Sequence, residues 1–246
     1  MIKRTFKNIP DGKITEADQQ SFLVGLGWAR GVTWDELLHS KRVLIISEAG
    51  AGKTYECRKQ SESLRAAGEP AFFVELAALA TEDLRSLLDA DEEARLDAWL
   101  ASQSEVATFF LDSIDELKLT MGSFERALKR LKKCIGGQLH RVRVVITTRP
   151  IPFDEQLVRN VLPVPLAPTY DSGEEAFAKI AMREHQEQHD NRSKNQSPDW
   201  RSVALMPLSD EQIVDFCRHQ GVSDPDLLLR TYDVAMPLSL HAGLRT

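Results

Sequence analysis

Val43-Leu44-Ile45-Ile46-Ser47-Glu48-Ala49-Gly50-Ala51-Gly52-Lys53-Thr54 is an apolar run that ends in a loop of small residues, and the loop ends in Gly-Lys-Thr. That is the order of a buried strand, a phosphate-cradling loop and a helix. Glycines let backbone N–H groups converge on an anion, and the first turn of the following helix adds its positive end. Lys53 can reach the β- and γ-phosphates of a nucleotide, and the Thr54 hydroxyl can ligate Mg²⁺. Ser47 stands where the pattern G-x-x-x-x-G-K-[ST] has its first glycine, a small residue for a smaller one. The expected nucleotide-contacting set is Ser47, Glu48, Ala49, Gly50, Ala51, Gly52, Lys53 and Thr54, with Tyr55 at the start of the helix.

Val106-Ala107-Thr108-Phe109-Phe110-Leu111 is a second continuous apolar run, long enough for a strand buried on both faces, and it ends at Asp112. In a parallel sheet, ligands gather beyond the carboxyl ends of the strands, which places Asp112 near the magnesium. Asp115 and Glu116 follow three and four residues later, in position to orient or deprotonate an attacking water. The competing reading is a strand cap followed by a helix N-terminus, where acids are favoured anyway. A third strand, Val142-Arg143-Val144-Val145-Ile146-Thr147, runs into Thr148, Arg149 and Pro150. A guanidinium at that sheet edge can read a γ-phosphate, or it can simply cap the strand in solvent.

On these residues the chain resembles the STAND class of P-loop NTPases, and within it the NACHT family. Ser47–Thr54 looks like that family's Walker A motif, and Phe110-Leu111-Asp112-Ser113-Ile114-Asp115-Glu116-Leu117 looks like its Walker B. That Walker B has a small residue after the magnesium Asp, and its displaced acidic pair is the most family-specific mark. Thr147-Thr148-Arg149-Pro150 resembles sensor 1. Ala235-Met236-Pro237-Leu238 is similar to the Gly-x-Pro-Leu element whose proline, here Pro237, packs on the adenine; Ala235 replaces the glycine. The resemblance implies binding and slow hydrolysis of ATP (or GTP) with Mg²⁺, with nucleotide state controlling opening and self-association. It also implies a sensor or effector partner, in cis or in trans, and a role in signalling or antiviral and innate immune defence.

Composition agrees with an α/β domain. A chain of 246 residues with 42% hydrophobic side chains can bury one substantial core, and a net charge of −6 gives no indication of nucleic-acid binding. No apolar stretch approaches the roughly 18 residues of a membrane span, and the N-terminus lacks the apolar core of a signal peptide. Cys57, Cys134 and Cys217 are too scattered for a metal site and read as reduced thiols of a cytoplasmic protein.

The expected architecture is a three-layer P-loop NTPase with a central parallel sheet, followed by a small helical lid. Residues 1–40 form a lead-in, 41–168 the core and 169–246 the lid, which would be cut short before a winged-helix region. Thr33–Glu36 and Ser209–Gln212 are capping boxes, and Phe124, Leu128, Leu131 and Ile135 make a helical apolar stripe. Val161–Leu166 is apolar but holds Pro163 and Pro165, so it suits only a sheet edge. His185 and His189 lie at i, i+4, but Gln186 stands where a zincin pattern needs Glu. The basic face around Arg126, Lys129, Arg130, Lys132 and Lys133 reads as solvated surface, with a partner contact as the sharper alternative. Two rival functions stand beside the switch: an AAA+-like mechanical ATPase acting on DNA or protein, and a non-hydrolysing nucleotide-binding module. The first needs an arginine finger and a pore loop that no residue here marks, and single-turnover hydrolysis separates the second.

Overall fold

Side chains alternate across a strand, so a run apolar at every position must be covered on both faces. In the computed structural model, which describes residues 4–9, 31–112, 121–150, 155–165, 199–219, 221 and 224, the runs read above behave in that way. Strands β2 (Arg42–Ile46), β4 (Ala107–Asp112) and β5 (Val142–Thr148) lie side by side with β3 (Ala71–Glu75) and β6 (Trp200–Leu205) in one parallel array. A short β1 (Phe6–Asn8) pairs antiparallel with β6, and the spatial order is β1-β6-β2-β5-β4-β3.

Residue parity divides the core in two. Val43, Ile45, Phe110, Val145 and Val203 face one side, with Cys57 and Leu64 of α2 (Lys53–Ala66) and Trp34 and Leu37 of α1 (Trp34–Leu37). Leu44, Ile46, Phe72, Phe109, Val144 and Ile146 face the other. They meet α3 (Leu76–Thr81), α4 (Ala90–Ala101), α5 (Met121–Ile135) and α6 (Glu155–Val161). The split follows from the direction of each step. The chain leaves β2 for β3 at the far edge and then returns through β4 and β5, and crossovers of one hand in opposite directions land on opposite faces. The result is the three-layer α/β architecture with a central, mostly parallel sheet expected from the sequence.

Both capping boxes form: the Thr33 hydroxyl accepts from Glu36 N–H, and Ser209 and Gln212 exchange bonds at the start of α7 (Asp210–His219). The stripe Phe124, Leu128, Leu131 and Ile135 is buried, as are Trp34 and Trp99. The three cysteines are free thiols. Among the described residues, no helix is long and apolar enough to cross a membrane.

Two expectations are corrected. Residues 200–205, assigned above to the helical lid beyond 169, are a strand of the core sheet, in parallel register with β2 from Arg42↔Trp200 to Ile46↔Ala204. Trp-Arg-Ser at its start hides a strand whose burial begins only at Ser202. The described part of the proline-bearing stretch, Val161–Pro165, is not an edge strand: α6 ends at Val161 and Leu162–Pro165 is irregular. Arg42, 1% exposed, holds that stretch by donating to the carbonyls of Leu162 (2.9 Å) and Pro163 (2.7 Å), and also to Val142 O at 2.7 Å. Burial pushes its guanidinium down to about 10, opposed by Asp199. The lead-in also contributes β1, and Phe6 and Val32 exchange backbone bonds beside it. The pair His185/His189 and the residues from Pro225 onward lie outside the described residues.

Candidate functional site

The step from β2 runs toward β3 on one side, while the step from β5 crosses β2 to reach β6 on the other. Adjacent strands whose connections diverge leave a crevice at their carboxyl ends, where ligands of open α/β sheets bind. Here β2 opens into the Gly-Lys-Thr loop and β5 ends at Thr147 and Thr148. Ser47 N–H donates to Thr148 O at 3.2 Å and joins the two ends.

The loop needs its glycines for conformation. Gly50 (φ 80°) and Gly52 (φ 91°) are left-handed, although a Cβ at either would meet nothing within 4 Å. Gly52 is the N-cap of α2, which carries no side-chain cap, so the helix presents its positive end to the loop. Lys53, 8% exposed, folds back across it, and Nζ donates to Ser47 O (2.5 Å) and Glu48 O (2.9 Å). Ala49, Gly50, Thr54 and Tyr55 are exposed, so the loop rim is open to solvent; Lys59 Nζ lies 6.0 Å from the Tyr55 ring centroid.

Asp112 is 3% exposed, and both its oxygens are used. Thr54 Oγ1 donates to Oδ2 at 2.6 Å across 58 residues, and Thr147 Oγ1 donates to Oδ1 at 2.6 Å across 35 residues. Parity explains the meeting. Asp112 and Thr147 stand on the face covered by α2, whose first turn carries Thr54. An all-oxygen pair of one carboxylate and one hydroxyl suits Mg²⁺, which is held by few protein ligands together with phosphates and water. Thr54 and Asp112 are the residues that would hold it. Among the described residues there is no cluster of three or more His, Cys, Asp or Glu side chains to hold a metal alone.

Thr147→Val keeps shape but removes one of the two hydrogen bonds that fix the buried carboxylate. The expected result is a roughly five- to ten-fold loss of Mg²⁺-dependent nucleotide affinity, the equivalent of about 1 kcal/mol. Titration calorimetry with and without Mg²⁺ checks it, and the metal-free affinity should not move.

Arg149, half-buried, follows directly on β5 at the same crevice. Asp115, Glu116 and Pro237 lie outside the described residues. Two residues that sequence reasoning missed adjoin the loop. Arg4, 7% exposed, donates through Nη2 to Ala51 O (3.2 Å) and Met206 O (2.8 Å). Glu56, 7% exposed in the first turn of α2, is pushed up by burial, and Arg4 opposes that shift. A lone cation near a terminus and an acid in a polar helix carry no pattern that would have marked them. Burial raises the Cys57 thiol well above its usual range, with Asp112 and Glu56 adding, so Cys57 serves as neutral packing under the site.

A left-handed glycine loop capping a helix, a lysine folded over it and a buried Asp facing the helical threonine, all at a sheet switch point, define a P-loop nucleoside-triphosphatase fold. No family model matches the chain, and no curated protein is similar to it. Among solved structures, it is similar to a DNA replication initiation factor at 12% identity and a TM-score of 0.36. It is similar to AMPPCP-bound DnaA from Aquifex aeolicus at 13% identity and 0.35, and to the cytoplasmic domain of EssC at 16% and 0.33. The matches cover 73%, 82% and 96% of this chain. The chain spans 54%, 56% and 51% of those proteins' lengths. The class therefore rests on the strand order and the loop geometry, not on these likenesses.

Proposed function

We propose that the chain binds ATP (or GTP) with Mg²⁺ and hydrolyses it slowly, as the nucleotide-operated switch of a STAND-type, NACHT-like signalling protein. The convergence of Lys53, Thr54, Asp112 and Thr147 carries the nucleotide reading. The acidic pair Asp115-Glu116, displaced from Asp112, supports the NACHT-like one. Thr54 and Asp112 would hold Mg²⁺, which would supply positive charge to offset that of the phosphates. Lys53 adds its charge to the same phosphates, the loop amides orient them, and Glu116 or Asp115 takes the proton of the attacking water. Arg149 reads the γ-phosphate, and Pro237 on a helical lid touches the adenine, so that one nucleotide bridges core and lid. Self-association in the cytoplasm, together with a sensor or effector partner in cis or in trans, turns that closure into an antiviral or innate immune output.

A ligand shifts such an equilibrium only by its differential affinity for the two states. Hydrogen exchange over residues 205–246 should show strong protection with ADP and less with a non-hydrolysable ATP analogue. Arg149→Ala should erase the difference while leaving the ADP protection intact. Identical exchange in the apo, ADP and analogue states would remove the switch. Absence of ATP binding by calorimetry would remove the nucleotide reading with it.

A further inference from the structure

Arg4 is a cation taken almost wholly out of water, and its position is set by main-chain carbonyls rather than by an ion pair. One anchor, Met206 O, belongs to the chain just beyond β6, and Met206 N–H donates in turn to Thr5 O at 3.0 Å. That reciprocal pair fixes Arg4 against the sheet. Its other bond goes to Ala51 O, in the middle of the phosphate loop. Burial lowers the Arg4 guanidinium, and Glu56 opposes the shift, yet it stays charged.

From this geometry we infer that Arg4 is a positioning residue of the nucleotide site: it orients and polarises the Ala51–Gly52 peptide so that Gly52 N–H is presented to the phosphates. In a trans peptide the C=O and N–H point in opposite directions, and the described chain contains no cis bond. With Ala51 O turned in toward the guanidinium, Gly52 N–H is turned away from it. Donation to a carbonyl from a charged group withdraws electrons from the peptide and makes its N–H a stronger donor. The left-handed Gly52 permits the orientation, and Arg4 selects it. Among the described residues, Arg4 Nε is buried without a hydrogen-bond partner, so the two carbonyl bonds through Nη2 are what hold the guanidinium in place. The segment leading into β1 is thereby part of the nucleotide site, although Arg4 stands 47 positions from Ala51.

The inference rests on the nucleotide reading, and its test separates the two. Arg4→Met and Arg4→Lys are compared with wild type for ADP affinity by calorimetry, at a temperature where circular dichroism shows each folded. Arg42→Lys, at another buried arginine bound to carbonyls but remote from the loop, is the control. The expected result is about a ten- to fifty-fold weaker ADP complex for Arg4→Met and about three- to ten-fold for Arg4→Lys. Arg42→Lys should lower the melting temperature and leave ADP affinity within about two-fold. In ¹⁵N-labelled wild type, the Arg4 Nε–H resonance should shift on adding ADP, and that of Arg42 should not. ADP affinity unchanged in folded Arg4 variants overturns the inference while the nucleotide reading stands. If neither variant folds, an Arg4 resonance unmoved by saturating ADP overturns it. A wild type that binds no ADP or ATP overturns both.

Discussion

Glu116→Gln is expected to leave ATP bound and to slow phosphate release by about 10²- to 10⁴-fold, the range for loss of a general base. The carboxylate of Glu116 or Asp115 is the proposed acceptor of the water proton, and the amide is isosteric without being basic. Because either acid can serve, Asp115→Asn and the double replacement complete the set. A single variant that slows release as much as the double assigns the role to that residue. Asp112→Ala should behave differently: it removes the partner of Thr54 and Thr147, so Mg²⁺-dependent affinity falls before turnover is reached. Single-turnover phosphate release, with ATP affinity measured beside it, distinguishes these outcomes. Full rates in the double variant would mean that the pair only caps a helix.

Lys53→Ala is expected to abolish tight ATP binding while the sheet survives. A charge-assisted contact contributes about 1.5–3 kcal/mol, and more where its loss leaves phosphate charge unpaired in a poorly solvated site. Affinity should therefore fall by at least ten- to a hundred-fold. The ammonium is already drawn over the loop by the Ser47 and Glu48 carbonyls, so little ordering entropy remains to be lost when a nucleotide arrives. Calorimetric titration of both proteins decides the matter, and equal affinities would sink the assignment.

The parts of the site legible in the chain are those that are contiguous in it. Gly50, Gly52, Lys53 and Thr54 announce the phosphate loop because the whole cradle is built from neighbouring residues, whose conformational demands show directly as residue types. Strands β2, β4 and β5 are legible because burial on both faces forces an unbroken apolar run. Capping boxes at Thr33 and Ser209 are equally local. By contrast, β6 is not legible in the chain: a strand that starts Trp-Arg-Ser is partly exposed where it begins, and its pairing with β2 leaves no trace in composition. The proline-bearing stretch after α6 reads as an edge strand because apolar content alone does not separate a strand from a chain tied down by a buried arginine.

By itself, then, the amino-acid order determined the phosphate loop, the acidic and threonine-bearing strand ends and the α/β class, since each is a property of a short segment. Only the tertiary structure decided that β5 lies between β2 and β4, and that Asp112 meets both Thr54 and Thr147. It also decided that Arg4 reaches Ala51. Strand order is chosen by which faces must be covered and which way each crossover turns. A guanidinium that bonds main-chain carbonyls can find them on any residue, so neither leaves a signature in the residues it joins.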